Sequence, residues 1–367
     1  MENKKIIFLL ASISQPRCIK RVESFIKNGY SVEVYGFNRG VYNINADING
    51  VKINDLGFAL SGSGYFKKFF YAKKRLKEIF QKVKNEDVLF YAFSFDIALI
   101  CKMFSGASYI YEISDLVYTY FDNKNVIKLF RTLDKWIIKK SVLTIMTSEG
   151  FYNYFFPLMN EKNVIVQPNR VNSNMLNSSR DFNEVRSSDK IVFSYVGAFR
   201  YPNTVFRFAE VIGKNYPQHE FSFWGDSNLT PLAIDLANKY KNVKFHGAFK
   251  NPEDLQKIYS SLDVVIACYD IKTLNERVAE PNKLYEALYF KKTIVVSHDT
   301  FLAEKVSRFK CGYAIDATND ILISNFIDGL NINKLNTIKT QIEKVSLSEI
   351  IDDNAKEIIS YLKRTNI

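Results

Sequence analysis

The stretch 277–300, RVAEPNKLYEALYFKKTIVVSHDT, joins a helix with a definable start to a buried-type strand. Pro281 suits the first helical position, because its missing N–H has no partner there and its φ is already set. Asn282, Lys283 and Glu286 then fall in the first two turns. Residues three and four apart are neighbours on a helix surface, so an amide, a cation and a carboxylate converge. Free N–H groups and the macrodipole draw anions to a helix start, and a lysine there adds a full charge suited to a diphosphate. Glu286, deeper in the helix, is placed to accept hydrogen bonds from a sugar diol. The plainer alternative is a surface ion pair between Lys283 and Glu286, worth about 0.2–0.5 kcal/mol.

With 367 residues, the chain exceeds the size at which one core keeps growing, so two domains are expected. Cys18, Cys101, Cys268 and Cys311 lie far apart, as do His219, His246 and His298. Without CxxC spacing this predicts reduced thiols in a cytosolic protein, no disulfide framework and no metal site. Two lysines precede the apolar run 6–13, but the run is short and passes into Gln15, Pro16 and Arg17 without a cleavage pattern. It reads as a first strand, not a signal peptide. The apolar segment 88–104 is broken by Asp96 and Lys102, and no transmembrane helix is expected.

A net charge of +11 implies attraction to polyanions: nucleic acid, anionic membrane or phosphorylated substrates. The charge is concentrated in 64–84, GYFKKFFYAKKRLKEIFQKVK, where a run of lysines and Arg75 faces one acid, Glu78. At helical spacing Tyr65, Phe69, Ala72, Leu76, Ile79, Phe80 and Val83 form an apolar stripe. Phe66, Lys67, Lys68, Phe70, Lys73, Lys74 and Arg75 are left for contact with an anionic membrane surface. A solvated helix packing its stripe on a core has the same pattern, and the two readings are compatible.

Strand-like and helix-like segments alternate through 1–168, which predicts a parallel sheet in an N-terminal domain. The polar, Asn- and Ser-rich segment 169–190 reads as a linker. A second alternating series occupies 191–345, and 346–364 is expected to be one helix, with 346–367 packing back on the N-terminal domain. The fold expected is α/β, two doubly wound Rossmann-like domains facing a cleft, with ligands at the carboxyl ends of the strands. Three strand ends in the second half carry glycine: YVGAFR at Gly197, FWGDSN at Gly225 and FHGAFKNPEDL at Gly247. Each alone is as well explained by a tight turn; in series, each ahead of a helix, they suggest a nucleotide lying across the strand ends. Arg200 is either a second cation for phosphate oxygens or an ordinary surface arginine.

YVGAFR, FHGAFKNPEDL, Asp263 in SSLDVVIACYD and above all PNKLYEALYFKKTIVVS resemble the donor half of glycosyltransferases of GT-B architecture, close to family 4 and to bacterial enzymes that build surface polysaccharides. The likeness spans nearly the whole chain and is specific mainly over 195–297. It implies that Lys283 and Arg200 bind the diphosphate of a nucleotide sugar and Glu286 the ribose. It places the loop after Gly247, with Phe249, at the base, and Tyr269 near the donor sugar. The family's further glutamate, eight positions before the ribose glutamate, is Val278 here, and neither Glu276 nor Glu280 is in register. In the first half, Ser114 stands before Asp115 where relatives usually have a histidine before an acid.

Transfer through an oxocarbenium-like centre needs a stabilised diphosphate and a deprotonated acceptor hydroxyl. Asp115 is the first choice for the base, with Glu112 and Asp96 behind it; a helix cap or structural carboxylate is its plainer role. The reading is a metal-independent transferase without cofactor, with a nucleotide-sugar donor, a lipid-linked or oligosaccharide acceptor, and a cytoplasmic station at the inner membrane face. A nucleotide-sugar isomerase and an inactive donor-binding partner protein are the rivals. Nucleic acid is not an expected partner, for the chain has no recognisable nucleic-acid motif.

Overall fold

The computed structural model describes residues 4–38, 47–58, 65–158, 161–172, 189–353 and 355–365. Most of the expected linker, 173–188, lies outside the described residues. The chain forms two units, Met1–Pro168 with Asp353–Ile367, and Asn169–Asp352.

The first unit holds β1 Lys5–Leu10, β2 Val32–Asn38, β3 Asp47–Ile48, β4 Val51–Phe58, β5 Val88–Phe93, β6 Tyr109–Ile113, β7 Leu143–Met146 and β8 Val164–Val166. Their order is β3-β4-β2-β1-β5-β6-β7-β8, parallel except for the short β3 against β4. β5 and β6 are buried at every position, as strands covered on both faces must be. The winding reverses between β1 and β5. This is the switch point, where crossover helices leave on opposite faces and open a crevice at the strand ends. Phe8 of β1 stacks on Tyr91 of β5 at 4.6 Å inside the core.

Ile358, Ile359 and Leu362 complete that core from the helix Lys356–Arg364. The single helix expected over 346–364 is in fact two, Leu347–Ile350 in the second unit and Lys356–Arg364 in the first. Its interruption has a backbone cause. Val171 N–H donates to Ile350 O at 3.1 Å and Asp352 N–H to Val171 O at 2.8 Å, a lateral pairing that a continuing helix cannot make.

In the second unit β9 Val192–Val196, β10 Glu220–Trp224, β11 Val243–Phe245, β12 Val264–Ala267, β13 Thr293–Ser297 and β14 Gly312–Ile315 are ordered β11-β10-β9-β12-β13-β14. All neighbours are parallel, and the switch point lies between β9 and β12. One face buries Tyr259, Leu284, Leu288 and Tyr289; the other buries Phe193, Phe208, Phe221 and Ile266. The helix Asn282–Tyr289 therefore has its apolar side committed to the core, at about 1.5–3 kcal/mol per large side chain. Its start is fixed by that packing.

Candidate functional site

The three glycine-ended strands lie side by side. Gly197, Gly225 and Gly247, at the carboxyl ends of β9, β10 and β11, all have positive φ (+124°, +142° and +80°). Gly197 N–H donates to Trp224 O and Gly225 N–H to Gly247 O, each at 2.8 Å. A Cβ on Gly225 would stand 2.1 Å from the Gly197 carbonyl oxygen, and one on Gly197 would meet the Lys283 amine at 3.1 Å. Close approach of backbone thus requires glycine at Gly225; at Gly197 the neighbour is the movable end of Lys283 and around Gly247 there is open space, so there it is the φ that favours glycine.

Lys283 reaches this row from the first turn of its helix. Its Nζ lies 4.6 Å from the centre of the Tyr195 ring, a cation–π contact that holds the charge at the end of β9. Pro281 is not the first helical residue as expected; with ψ 156° it is extended and serves as the N-cap. No side chain caps this helix and no acid sits in its first turn, so its positive end and Lys283 act together on whatever lies beyond.

Glu286 rules out the surface-pair alternative. It is 8% exposed and accepts the Tyr259 hydroxyl on Oε2 at 2.6 Å. Burial raises its pKa, while the Tyr259 hydrogen bond and the Lys283 charge pull it back down in part. Asn282 is held from the other side, its Oδ1 accepting from Asn169 Nδ2 at 2.6 Å. The remaining candidates ring the same strand ends. The ring of Tyr269, just past β12, stacks on Tyr201 at 4.3 Å across the β9/β12 switch point. Phe249 and Trp224 both pack on the same core, and Arg200 is exposed beyond β9.

The two acids near Val278 are already engaged. Glu276 closes a capping box with Thr273 at the start of the helix Leu274–Val278. Glu280 is buried, accepts the Tyr285 hydroxyl and pairs with Lys305 at 3.6 Å. The sequence reading missed the Trp224–His246 stack, with ring centres 3.8 Å apart, and Asp270, which receives Asn203 Nδ2 at 2.6 Å and Thr204 Oγ1 at 2.9 Å. An acid three residues past the β12 strand was the available signal for Asp270.

In the first unit the structure corrects one candidate. Glu112 is fully buried, with Arg17 Nε at 3.1 Å on Oε1, Arg21 Nε at 3.1 Å on Oε2, and the Tyr91 hydroxyl donating to Oε2. A carboxylate so enclosed, wholly shut off from solvent and ion-paired to two guanidiniums, ties helix to sheet and lies out of reach of an acceptor hydroxyl. Asp115 is exposed beyond β6, and Asp96 lies in the first turn of the helix Phe95–Phe104. Ser94, between β5 and that helix, has φ +89° and ψ 155°, a conformation costing about 1–3 kcal/mol that is otherwise almost confined to glycine. Strain of this kind collects at functional crevices.

The basic helix runs Tyr65–Lys82 and buries Leu76, Ile79 and Phe80 on the core, while Phe66 is 70% exposed. Lys67, Lys68, Lys74 and Phe70 are exposed too. Arg75 differs from the expectation: its Nε donates to Leu56 O at 3.2 Å and its Nη1 to Glu78 at 2.9 Å, so it braces β4. Lys73 and Lys77 lie over the Phe104 ring at 4.5 and 4.6 Å, and Lys102 lies over Trp136 at 5.6 Å. With Met103 and the 40% exposed Trp136, the basic aromatic face extends to the helices Phe95–Phe104 and Lys124–Lys140. Nothing in the helical spacing of 65–82 announces that extension. Among the described residues no helix is long and apolar enough to cross a membrane, and no His, Cys, Asp and Glu cluster is arranged to hold a metal.

No protein-family model and no curated protein sequence matches the chain. Solved structures do. Sucrose-phosphate synthase from Thermosynechococcus elongatus superposes with TM-score 0.70 at 13% identity, over 99% of each chain. Anabaena HepE in complex with UDP and glucose gives TM-score 0.69 at 15% identity, over 97% of this chain and 99% of that one. The lipopolysaccharide outer core galactosyltransferase WaaB gives 0.60 at 14% identity, over 99% and 100%. Together with the two doubly wound units, these likenesses establish a GT-B fold. It is an architecture shared with the galactosyltransferase WaaB, with sucrose-phosphate synthase and with HepE.

Proposed function

We propose that the chain is a glycosyltransferase that moves a sugar from a nucleoside diphosphate sugar to a lipid-linked oligosaccharide or related acceptor in surface polysaccharide synthesis. The observation that carries this is the Lys283 amine held against Gly197 at the head of a row of glycine-ended strands. A diphosphate needs a cation, a helix start and backbone it can approach closely; this point of the fold supplies all three. HepE, of the same fold, is described with UDP and glucose bound, and WaaB as a lipopolysaccharide galactosyltransferase.

In this reading Lys283 and Arg200 neutralise the diphosphate as the bond from the sugar's anomeric carbon to the phosphate oxygen breaks and its electron pair leaves with the phosphate. Glu286, oriented by Tyr259, takes the ribose hydroxyls on its other oxygen. Phe249 faces the base and Tyr269 the donor sugar. The acceptor oxygen attacks the anomeric carbon, and its proton passes to Asp115 in an inverting reaction or to the departing phosphate in a retaining one. Lysine and helix start supply the charge that a metal would otherwise provide. The three-helix basic aromatic face holds the enzyme on an anionic membrane, where a lipid-linked acceptor is found.

Lys283→Ala is expected to weaken UDP binding by at least about tenfold, the loss of one charge-assisted contact to phosphate. Titration calorimetry reads it directly. Wild-type affinity in that variant removes the donor assignment.

A further inference from the structure

We propose that the first unit carries its own oxyanion site at the β1/β5 switch point, built on Arg17, and that it takes a phosphoryl group. The helix Pro16–Lys27 starts there with no side-chain cap from Gln15, proline at its first position and no acid in its first turn. A helix start alone is a weak argument. The second observation is Arg17 itself, 9% exposed, whose Nε and Nη2 are both buried without a hydrogen bond, Nε being ion-paired with Glu112 Oε1 and Nη2 left with no partner. Its Cα–Cβ bond tilts toward the helix N-terminus, and its Nε is drawn across β5 to Glu112 on β6, so the guanidinium spans the crevice at the strand ends.

Two guanidiniums, Arg17 and Arg21, meet the single carboxylate of Glu112. Burying a guanidinium with an N–H unsatisfied is costly, and an incoming oxyanion offsets that cost by accepting the N–H of Arg17. The flanking loop supports such a guest: Ser12 and Ser14 are buried polar residues with hydroxyls 3.2 Å apart, and Ser94 holds its strained conformation on the β5 side. A planar guanidinium beside a helix start matches tetrahedral phosphate oxygens. That the phosphoryl group belongs to the acceptor rests on the transferase reading; the site does not.

The test uses the full chain with Lys283→Ala, which takes away the diphosphate position in the second unit, and inorganic pyrophosphate as probe in titration calorimetry. Arg17→Gln in that background is expected to weaken pyrophosphate binding by about tenfold or more, and Arg17→Lys by a smaller factor, since a lysine keeps the charge and loses the fork. Should Arg17→Gln fail to fold, Arg17→Lys decides, because it preserves a cation for Glu112. Unchanged affinity in Arg17→Lys and Arg17→Gln, or no pyrophosphate binding at millimolar concentration in the Lys283→Ala chain, overturns the site. Preference for glucuronate over pyrophosphate overturns its assignment to phosphoryl groups. UDP binding to the Arg17 variants with Lys283 intact reads the donor site separately, so failure of one reading is not mistaken for failure of the other.

Discussion

Asp134 offers the sharpest quantitative test of the first unit. It lies 1% exposed on the helix Lys124–Lys140 and accepts the Tyr111 hydroxyl at 2.9 Å. Burial pushes its pKa up from 3.8 to about 7, against the opposing pull of the Tyr111 and Tyr118 hydroxyls. The folded state therefore keeps a proton that the unfolded chain releases, and between those two values the unfolded state binds fewer protons. Stability must fall as pH rises across that window. At 1.36 kcal/mol per pKa unit the contribution is on the order of 4 kcal/mol.

Asp134→Asn retains a carbonyl oxygen for Tyr111 and removes the titration. Urea unfolding of both proteins at several pH values isolates the effect, since every other titrating group cancels in the difference between them. Near pH 4 the two should be close in stability; by pH 8 the variant should be the more stable by a few kcal/mol. If the two units unfold separately, hydrogen exchange in Lys124–Lys140 reports the same quantity locally. A difference that does not change with pH, or one that moves toward the wild type as pH rises, refutes the buried protonated carboxyl. The outcome bears on function because Tyr111 and the turn Val117–Tyr120 flank Asp115 in the chain.

Gly225→Ala places a Cβ 2.1 Å from the Gly197 carbonyl, so backbone must move; a destabilisation of about 1–3 kcal/mol and a clear loss of UDP affinity are expected by melting and calorimetry. Gly247→Ala, which meets open space, should cost only about 1 kcal/mol and disturb binding far less. Glu286→Gln keeps an acceptor for Tyr259, so stability should hold or rise while UDP affinity falls several-fold; equal affinity would remove the ribose role. Replacing Lys67, Lys68, Lys73 and Lys74 with glutamine should release the protein from anionic vesicles in sedimentation without altering UDP binding. Trp136→Ser should weaken the same attachment, and unchanged sedimentation of both would reject the membrane face.

The alternation of strands and helices was legible because strands buried on both faces read as unbroken apolar runs, as VLFYAF in β5 does. Helical spacing likewise put Lys283 and Glu286 near one another. What it left open was their division of labour, since Tyr259, which claims Glu286, lies 27 residues earlier on another helix. Glu112 was misjudged for the same reason: its partners Arg17, Arg21 and Tyr91 come from a helix and a strand far away in sequence. The break in the last helix depended on Val171, some 180 positions upstream of its bridge partner Ile351. Local chemistry located the acids and cations; only the tertiary fold decides which of them are free to act.

That distinction separates the two cations at the two switch points. Lys283 faces glycines and an aromatic ring, and the carboxylate near it, Glu286, is hydrogen-bonded to Tyr259 and acts on it only through space, so Lys283 keeps its N–H groups for a ligand. Arg17 shares Glu112 with Arg21, so part of its charge is spent before any ligand arrives. The first arrangement suits a small dianion that must be captured from solution on contacts to a few atoms. The second suits a weaker hold, and under the proposed function a weaker hold is sufficient, because an acceptor confined to a membrane on which the basic helices dock would have a raised effective concentration without any new contact. On this reasoning, releasing the protein from vesicles should raise the concentration of lipid-linked acceptor needed for turnover while leaving the donor requirement where it was.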